Sequence, residues 1–223
     1  MSRSEVIPPP GLFYWTVHGL ARWLWPFFGG IEVKGRENIP DRGPYLLLSN
    51  HQSVLDPFFI QTWIPYPIHP LAKSTQFAGP IFGAAMKRLY SFPVRRFQVD
   101  PQAVRTALRR LRAGYAVHVY VEGERSWDGI MRPPRAGTVR LALKAGVPIV
   151  PCAVAGAYDV WPRWDRRPRR GPVQVAFGTP FRLPQIDDRR RRNDAVPEAS
   201  RRIMQEIASL LDLPTATANT TED

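Results

Sequence analysis

His51 and Asp56 are the two residues of this sequence whose types and spacing best suit acid–base chemistry. They lie five positions apart in the stretch SNHQSVLD, residues 49–56. An aspartate that binds one imidazole nitrogen leaves the other nitrogen able to take a proton from a substrate hydroxyl. Ser53 lies between them, but it lacks the G-x-S-x-G turn that exposes a catalytic serine. The pair therefore predicts a general base with an orienting carboxylate, provided that other polar groups converge on it.

Residues that could bind an anion follow other apolar runs of the chain. Arg95 and Arg96 come directly after residues 92–94, and guanidinium groups can hold a phosphate in a fork that lysine cannot match. A solvated loop end explains the same two arginines equally well. Lys73 closes an earlier apolar block, and the stretch EGERS, residues 122–126, closes a later one. These residues are the candidates for binding a negatively charged substrate.

The apolar runs that precede these residues have the length and composition of buried β-strands. The carboxyl ends of parallel strands gather at one edge of a sheet, where open α/β folds bind ligands, so we expect the polar residues to meet there. The predicted strands cover residues 31–35, 45–48, 71–72, 92–94, 116–121, 147–154 and 173–177.

Helical patterns alternate with the predicted strands. The clearest helix covers residues 101–113, which Asp100 can cap, Pro101 can start and Gly114 can end. Further helices are predicted at residues 77–90, 138–145 and 198–211, with a short one within residues 57–70. This alternation predicts an α/β fold with a mostly parallel central sheet flanked by helices.

Residues 11–28 form an aromatic-rich segment ahead of the first predicted strand. The run is shorter than the about 20 apolar residues that a membrane-spanning helix needs, and Arg22 and Pro26 interrupt it. Trp and Tyr favour the lipid headgroup level, so we expect an interfacial, membrane-associated helix; a helix packed on the core is the alternative. The predicted organisation is a membrane-association segment of residues 1–30, a main domain of residues 31–212 and a disordered tail of residues 213–223.

The composition favours anionic partners. The 223 residues carry a formal net charge of +12, which suits nucleic acid, acidic lipid headgroups or phosphorylated substrates. Apolar residues make up 44% of the chain, enough for a core. The one cysteine, Cys152, excludes an internal disulfide and a cysteine cluster for zinc.

The order of these blocks resembles that of the glycerolipid acyltransferase family, and specifically of the 1-acylglycerol-3-phosphate acyltransferases. That family carries an Asn-His-x4-Asp block, an Arg-bearing block, a Pro-Glu-Gly-Thr-Arg-Ser block and a Val-Pro-Ile-Val-Pro block, in this order. Four blocks in order are far more specific than any one of them. The corresponding blocks here are residues 50–56, 92–96, 121–126 and 147–151, within a resemblance that covers about residues 30 to 180.

The resemblance implies a role for each candidate residue. His51 would be the general base toward the acceptor's hydroxyl, and Asp56 would hold the imidazole tautomer and stabilise the imidazolium. Glu122 would orient the acceptor hydroxyl or support an arginine, and Gly123 would allow a tight turn. The substrate-binding residues would include Arg125, Arg96, Arg95, Lys73 and Ser126, with Arg125, Arg96 and Lys73 on the acceptor phosphate.

The resemblance also implies the partners of the reaction. The acyl donor would be acyl-CoA or an acyl carrier protein, the acceptor a lysolipid in a membrane, and the product phosphatidic acid for phospholipid biosynthesis. No cofactor and no metal would be needed. The enzyme would work at the cytoplasmic face of the membrane as a peripheral or monotopic protein.

Four positions depart from the family pattern. Val121 stands where the family usually has Pro, Glu124 where it has Thr, Arg95 where many members have Asp, and Tyr90 where they have Gly. An added carboxylate beside a phosphate site should weaken phosphate binding, and an added arginine should strengthen it. Either the two changes compensate, or the enzyme acylates a different lipid acceptor.

Two other classes of function remain as alternatives. A nucleic-acid-binding protein would explain the net charge and the basic runs at residues 163–170 and 189–192, but no helix-turn-helix, RNP-like or zinc pattern accompanies them. We interpret the second run as a solvated linker. A metal hydrolase using His51, Asp56 and Glu122 lacks a second histidine at ligand spacing.

Overall fold

The computed structural model describes residues 10–96, 98, 100–213 and 215, and within them one seven-stranded sheet forms the centre of the molecule. Its spatial order is β1-β7-β6-β2-β5-β3-β4, and all neighbouring strands are parallel except β6 and β7. This confirms the predicted mostly parallel α/β sheet. The strands are β1 Ile31–Lys34, β2 Leu46–Ser49, β3 Ile68–Lys73, β4 Phe92–Val94, β5 Ala116–Tyr120, β6 Ile149–Ala155 and β7 Val173–Phe177.

Helices cover both faces of the sheet, as a parallel sheet requires. Strand β2 lies between β5 and β6 and is buried on both sides. Leu46 and Leu48 pack with Ile203 in one core layer, and Leu47 packs with Phe59 in the other. The helices are α1 Leu12–Leu24, α2 Asp56–Gln61, α3 Pro80–Arg88, α4 Pro101–Arg112, α5 Ala136–Ala145, α6 Ala157–Val160, α7 Arg189–Asp194 and α8 Val196–Ala208.

Helix α4 shows why the sequence predicted a helix at this place. Asp100 Oδ1 accepts hydrogen bonds from the backbone N–H groups of Gln102 and Ala103, both at 3.1 Å, and Pro101 occupies the first turn. The helix buries Leu108 and Leu111 against the sheet and exposes three of its four arginines, and the predicted helix is confirmed to within one residue.

Helix α1 has two different apolar faces. Tyr14, His18 and Ala21 are buried against the domain. The opposite face exposes a second set of large apolar side chains: Leu12, Phe13, Trp15, Leu20 and Trp23, continued by Phe27 in the turn that follows. Within the described residues, no helix combines the length and hydrophobicity that crossing a bilayer requires.

The C-terminal part of the chain differs from expectation in one place. The run of residues 189–192 was predicted to be a linker, but it begins α7, because Asp188 accepts a hydrogen bond from the Arg191 N–H and caps the helix. Of the tail predicted at residues 213–223, Leu213 is buried and Thr215 forms an isolated β-bridge with Met131. The rest of that tail lies outside the described residues.

Candidate active site

The loop that leaves β2 holds His51 against Asp56, the first residue of α2. Asp56 is fully buried, and its Oδ2 accepts hydrogen bonds from His51 Nδ1 at 2.7 Å and from the N–H groups of Gln52 at 2.6 Å and Ser53 at 2.9 Å. The carboxylate therefore sets the backbone of the loop as well as the imidazole. Because a carboxylate oxygen accepts hydrogen bonds, this contact assigns the ring proton to Nδ1; within the described residues no hydrogen bond uses Nε2.

Asn50 anchors the same loop to the neighbouring strand. Its side-chain Nδ2 donates to the Val154 carbonyl at 2.8 Å, and its Oδ1 accepts from the Val154 N–H at the same distance. This two-point contact extends the pairing of β2 with β6 past the end of β2. It fixes the direction in which the chain turns before His51.

Glu122 ties His51 to the loop that follows β5. Its Oε1 accepts from the His51 N–H at 2.9 Å, and its Oε2 accepts from the Arg132 N–H at 3.1 Å. Burial raises the pKa of Glu122 to about 7, although both of these hydrogen bonds lower it. In the structure both oxygens accept from backbone donors, and the predicted contact with a substrate hydroxyl or an arginine side chain stays a prediction.

Two further predicted residues shape the same loop. Gly123 has a φ of +74°, and a Cβ there would lie 3.1 Å from Arg135 Cγ, so the predicted tight turn at glycine is confirmed. Ser126 is buried, its N–H donates to the His51 carbonyl at 2.7 Å, and its Oγ donates to the Ile130 carbonyl at 3.0 Å. Ser126 therefore ties the loop after β5 to the loop after β2 through its backbone, and its hydroxyl serves its own loop.

Tyr120, the last residue of β5, supports the His51 ring. The two ring centroids are 3.7 Å apart and the planes differ by 16°. Sequence reasoning missed Tyr120, although its place two residues before Glu122 could have pointed to it. Burial lowers the pKa of His51 below its ordinary 6.5; Asp56 opposes this shift, and Arg96 and Arg125 add to it. The imidazole is therefore neutral near pH 7 and able to accept a proton.

Arg96 and Arg125 are the cations that affect the pKa of His51, and Arg163 donates a hydrogen bond to the Arg125 carbonyl. These three arginines are called the cation cluster. Burial lowers the pKa of the Arg96 guanidinium, Glu124 raises it, and Arg125 and Arg163 lower it. Burial and Arg163 likewise lower the pKa of Arg125. Arg96 and Arg125 were predicted from the sequence, whereas Arg163 comes from the loop after α6, whose basic run was considered only for the nucleic-acid alternative.

The two other predicted cations are exposed. Arg95 donates from its N–H to Asp100 Oδ2 at 2.9 Å and from its Nε to the same oxygen at 3.4 Å, with 54% of its side chain exposed. It lines a separate groove of about 1240 Å³ that also contacts Tyr14 at the start of α1. Lys73 is exposed at the end of β3.

Two further polar residues near His51, Ser53 and His118, have partners within the protein. Ser53 is buried, and its Oγ donates to the Trp161 carbonyl at 3.0 Å, consistent with its rejection as a nucleophile. His118 lies within β5, fully buried, with Nε2 2.9 Å from Ser49 Oγ and Nδ1 3.3 Å from Gln61 Nε2. Within the described part of the chain, no three His, Cys, Asp or Glu side chains gather as metal ligands.

The arrangement can do one kind of chemistry well. A neutral, oriented imidazole stands beside a cluster of guanidinium groups, so it can deprotonate a hydroxyl of a molecule whose anionic group the cluster binds.

Comparisons with known proteins find a family and individual relatives that are similar to this chain. A model of the acyltransferase family matches residues 30–155, which contain every site residue predicted from the sequence. The 1-acyl-sn-glycerol-3-phosphate acyltransferase of Bacillus subtilis (strain 168) is 27% identical over 189 residues, covering 82% of this chain and 91% of that protein. The enzyme of the same name from Pseudomonas aeruginosa is 34% identical over 186 residues, covering 78% and 70%.

A solved structure shares the fold. The crystal structure of the 1-acyl-sn-glycerophosphate (LPA) acyltransferase from Thermotoga maritima superposes with a TM-score of 0.70 at 23% identity. The match covers 86% of this chain and 78% of the other. The parallel sheet and its flanking helices are therefore an architecture already seen in a solved protein.

Proposed function

Because this chain belongs to the acyltransferase family, we propose that it transfers a fatty acyl group from a thioester to the free hydroxyl of 1-acylglycerol-3-phosphate, giving phosphatidic acid. The observation that carries the proposal is the contact between His51 and Asp56 next to Arg96 and Arg125. An acceptor with a hydroxyl close to a phosphate can engage base and cations together. The names of the relatives in Bacillus subtilis and Pseudomonas aeruginosa point to this acceptor.

In the proposed reaction His51 acts as base and then as acid. Its Nε2 takes the proton of the acceptor hydroxyl as that oxygen attacks the thioester carbonyl carbon. The tetrahedral intermediate collapses, an ester C–O bond replaces the C–S bond, and the leaving thiolate receives the proton from Nε2. Asp56 stabilises the imidazolium between the two transfers. Because the acceptor hydroxyl attacks the thioester directly, no acyl-enzyme is formed.

The cations do two things for this reaction. Arg96 and Arg125 bind the acceptor phosphate through guanidinium N–H donors. They also lower the pKa of His51, so that the imidazole is unprotonated when the acceptor arrives. A bound phosphate neutralises part of their charge, and this favours the imidazolium that forms as the hydroxyl attacks.

The donor and the location complete the proposal. Acyl-CoA or an acyl carrier protein supplies the thioester as a substrate, and a chain with net charge +12 attracts either anion. The exposed apolar face of α1, with Trp15, Leu20 and Trp23, suits attachment at the cytoplasmic face of a membrane, where the lysolipid resides.

An acceptor panel tests the proposal directly. The purified protein is assayed in phospholipid vesicles with acyl-CoA or acyl carrier protein and with lysophosphatidic acid, lysophosphatidylcholine, lysophosphatidylethanolamine or glycerol-3-phosphate. We expect lysophosphatidic acid to give the highest kcat/KM. A higher kcat/KM for a lysolipid without a phosphate monoester would show that the acceptor is another lipid.

Substitution of the base tests the mechanism. We expect His51→Ala to lower kcat by about 10²–10⁴-fold, the usual contribution of a general base, and Asp56→Asn to be severely impaired as well. Glu198→Gln is the matched control, because Glu198 is exposed on α8. An unchanged kcat in a folded His51→Ala protein would exclude the base.

A further inference from the structure

Arg163 lies in the basic loop of residues 161–170, which follows α6 and lies beyond the residues matched by the family model. We propose that Arg163 is a third guanidinium for the acceptor's phosphate and sets the preference for a phosphate monoester, with Glu124 as the residue that positions it. This inference rests on the proposed function, because it names the phosphate monoester of the acceptor as the group that the cation cluster binds.

Three contacts hold Arg163 against the loop that follows β5. Its Nη1 lies 3.0 Å from Glu124 Oε2 and donates to the Arg125 carbonyl at 3.2 Å. Its guanidinium carbon lies 3.5 Å from the centroid of the Trp127 ring. Only 22% of the side chain is exposed, so the guanidinium is oriented before any ligand binds. A preorganised arginine loses less entropy on binding a phosphate than a solvated one.

The same contacts leave donors of Arg163 available. Among the described residues, its hydrogen bonds use Nη1 alone, so Nη2 and Nε can donate to a phosphate oxygen. Arg163 lowers the pKa of both Arg96 and Arg125, so the three charges act on one another. The hydrogen bond from Arg163 Nη1 to the Arg125 carbonyl places the two residues next to each other.

Glu124 does not cancel this cluster. Its Oε2 contacts Arg163, and its Oε1 lies 3.4 Å from Arg135 Nη2, so one carboxylate is shared between two guanidinium groups. With Arg96 and Arg125 added, the four guanidinium groups outnumber the two carboxylates that act on them, Glu124 and Asp56. The excess repels itself until an anion binds, and a phosphate monoester carries about −1.5 to −2 at pH 7. A phosphodiester carries a single negative charge and a substituent on the phosphate, so it gains less from a third arginine.

Kinetics with the full-length protein in vesicles test Arg163. In Arg163→Gln we expect the KM for lysophosphatidic acid to rise roughly tenfold, as for loss of one charge-assisted hydrogen bond, with kcat within about twofold. The KM for acyl-CoA should not change. The preference for lysophosphatidic acid over lysophosphatidylcholine, as a ratio of kcat/KM, should fall by a similar factor. Arg167→Gln is the matched control, because it removes the same charge from an exposed position of the same loop and should leave all these values unchanged.

Two results would overturn the assignment while leaving the proposed function standing. One is an unchanged KM for lysophosphatidic acid in Arg163→Gln; the other is a rise in the acyl-CoA KM alone, which would assign Arg163 to the donor. Binding of glycerol-3-phosphate, followed by tryptophan fluorescence, tests the site without acyl transfer. Weaker binding by Arg163→Gln than by Arg167→Gln supports the anion site even if lysophosphatidic acid proves not to be the acceptor, and equal binding contradicts it.

Glu124→Gln tests the positioning role through the sign of its effect. Removing a negative charge beside a phosphate should by itself lower the KM for lysophosphatidic acid. If Glu124 positions Arg163, the KM rises instead, because the guanidinium loses its ion-pair partner. We expect a rise in Glu124→Gln and little further rise when Arg163→Gln is added. A lower KM in Glu124→Gln would contradict the positioning role.

Discussion

His51 and Tyr120 stack with their ring centroids 3.7 Å apart, and this contact joins the loop after β2 to the last residue of β5. Asp56 fixes the same imidazole at its edge, through Nδ1. The His51 imidazole is thus held at its edge by a hydrogen bond and on one face by the Tyr120 ring. Its orientation depends on two adjacent strands, which suits a group that must meet a substrate hydroxyl in one direction.

The stacking contact predicts different effects of two substitutions at Tyr120. The Tyr120 hydroxyl is buried and has no hydrogen-bond partner in the described part of the structure. Tyr120→Phe should therefore keep kcat within about twofold, since the ring remains. Tyr120→Leu removes the flat support of the imidazole, and we expect kcat to fall roughly tenfold, since small displacements of catalytic groups are costly. Steady-state kinetics with a thermal melt of each variant measure this; equal losses in both variants would mean that the hydroxyl takes part in the reaction.

The cation cluster predicts a shift of the pH profile in Arg125→Gln. The proposed base works when it is neutral, so kcat/KM for the acceptor, which reports the free enzyme, should fall as pH drops through the His51 pKa, below 6.5. Burial lowers that pKa most and Arg125 adds to the shift, so Arg125→Gln should raise the pKa and move the acidic limb of the profile to higher pH. The profile of kcat/KM against pH for both proteins checks this. Arg167→Gln should not move the limb, and a shift to lower pH in Arg125→Gln would contradict the electrostatic account.

Glu122 predicts a loss of stability when its second acceptor is removed. The ionised carboxylate serves the N–H groups of His51 and Arg132, whereas a glutamine offers one acceptor oxygen. Glu122→Gln should therefore leave a buried donor unpaired and lower the free energy of unfolding by about 1–3 kcal/mol, measured by urea denaturation near pH 8. Unchanged stability in this variant would show that both donors find other partners.

The same residue predicts how stability varies with pH. The pKa of Glu122 is raised from 4.5 to about 7 in the folded state, so between these values the folded chain binds more protons than the unfolded one. The contribution of Glu122 to the free energy of unfolding is therefore largest at low pH and declines as pH rises from about 4.5 to about 7. Denaturation across this range should show that part of the slope in the natural protein and not in Glu122→Gln.

The exposed face of α1 predicts the residues of membrane attachment. Deleting the helix would also remove the buried Tyr14 and Ala21, so point substitutions on the exposed face are cleaner. Leu20→Ser with Trp23→Ser should move the protein from the pellet to the supernatant when it is sedimented with anionic vesicles, with little change in Tm. Trp164→Ser is the control for loss of an exposed tryptophan elsewhere. Full sedimentation of the double variant would place the attachment on another surface.

Much of the fold and the pairing of His51 with Asp56 could be predicted, because the sequence features that encode them lie close together in the chain. His51 and Asp56 are five residues apart and meet within one loop. Asp100 caps α4 through the next three residues, and the apolar runs around Leu46–Leu48 and Ile149–Val154 have no pattern that would suit an exposed segment. The requirement for glycine at residue 123 likewise follows from its own turn.

The sequence by itself thus determined the α/β class and predicted the pair of His51 and Asp56, which the structure brings into contact. Only the tertiary structure decided that Glu122 binds the backbone of His51, that Arg95 binds Asp100, and that Arg163 binds Glu124. The physical reason is strand order. Nothing local encodes that β2 pairs with β5 and β6, yet that pairing brings residues 71 positions apart into hydrogen-bond contact. Side chains on the connecting loops take their partners from that order, and so their roles appear only when the sheet is assembled.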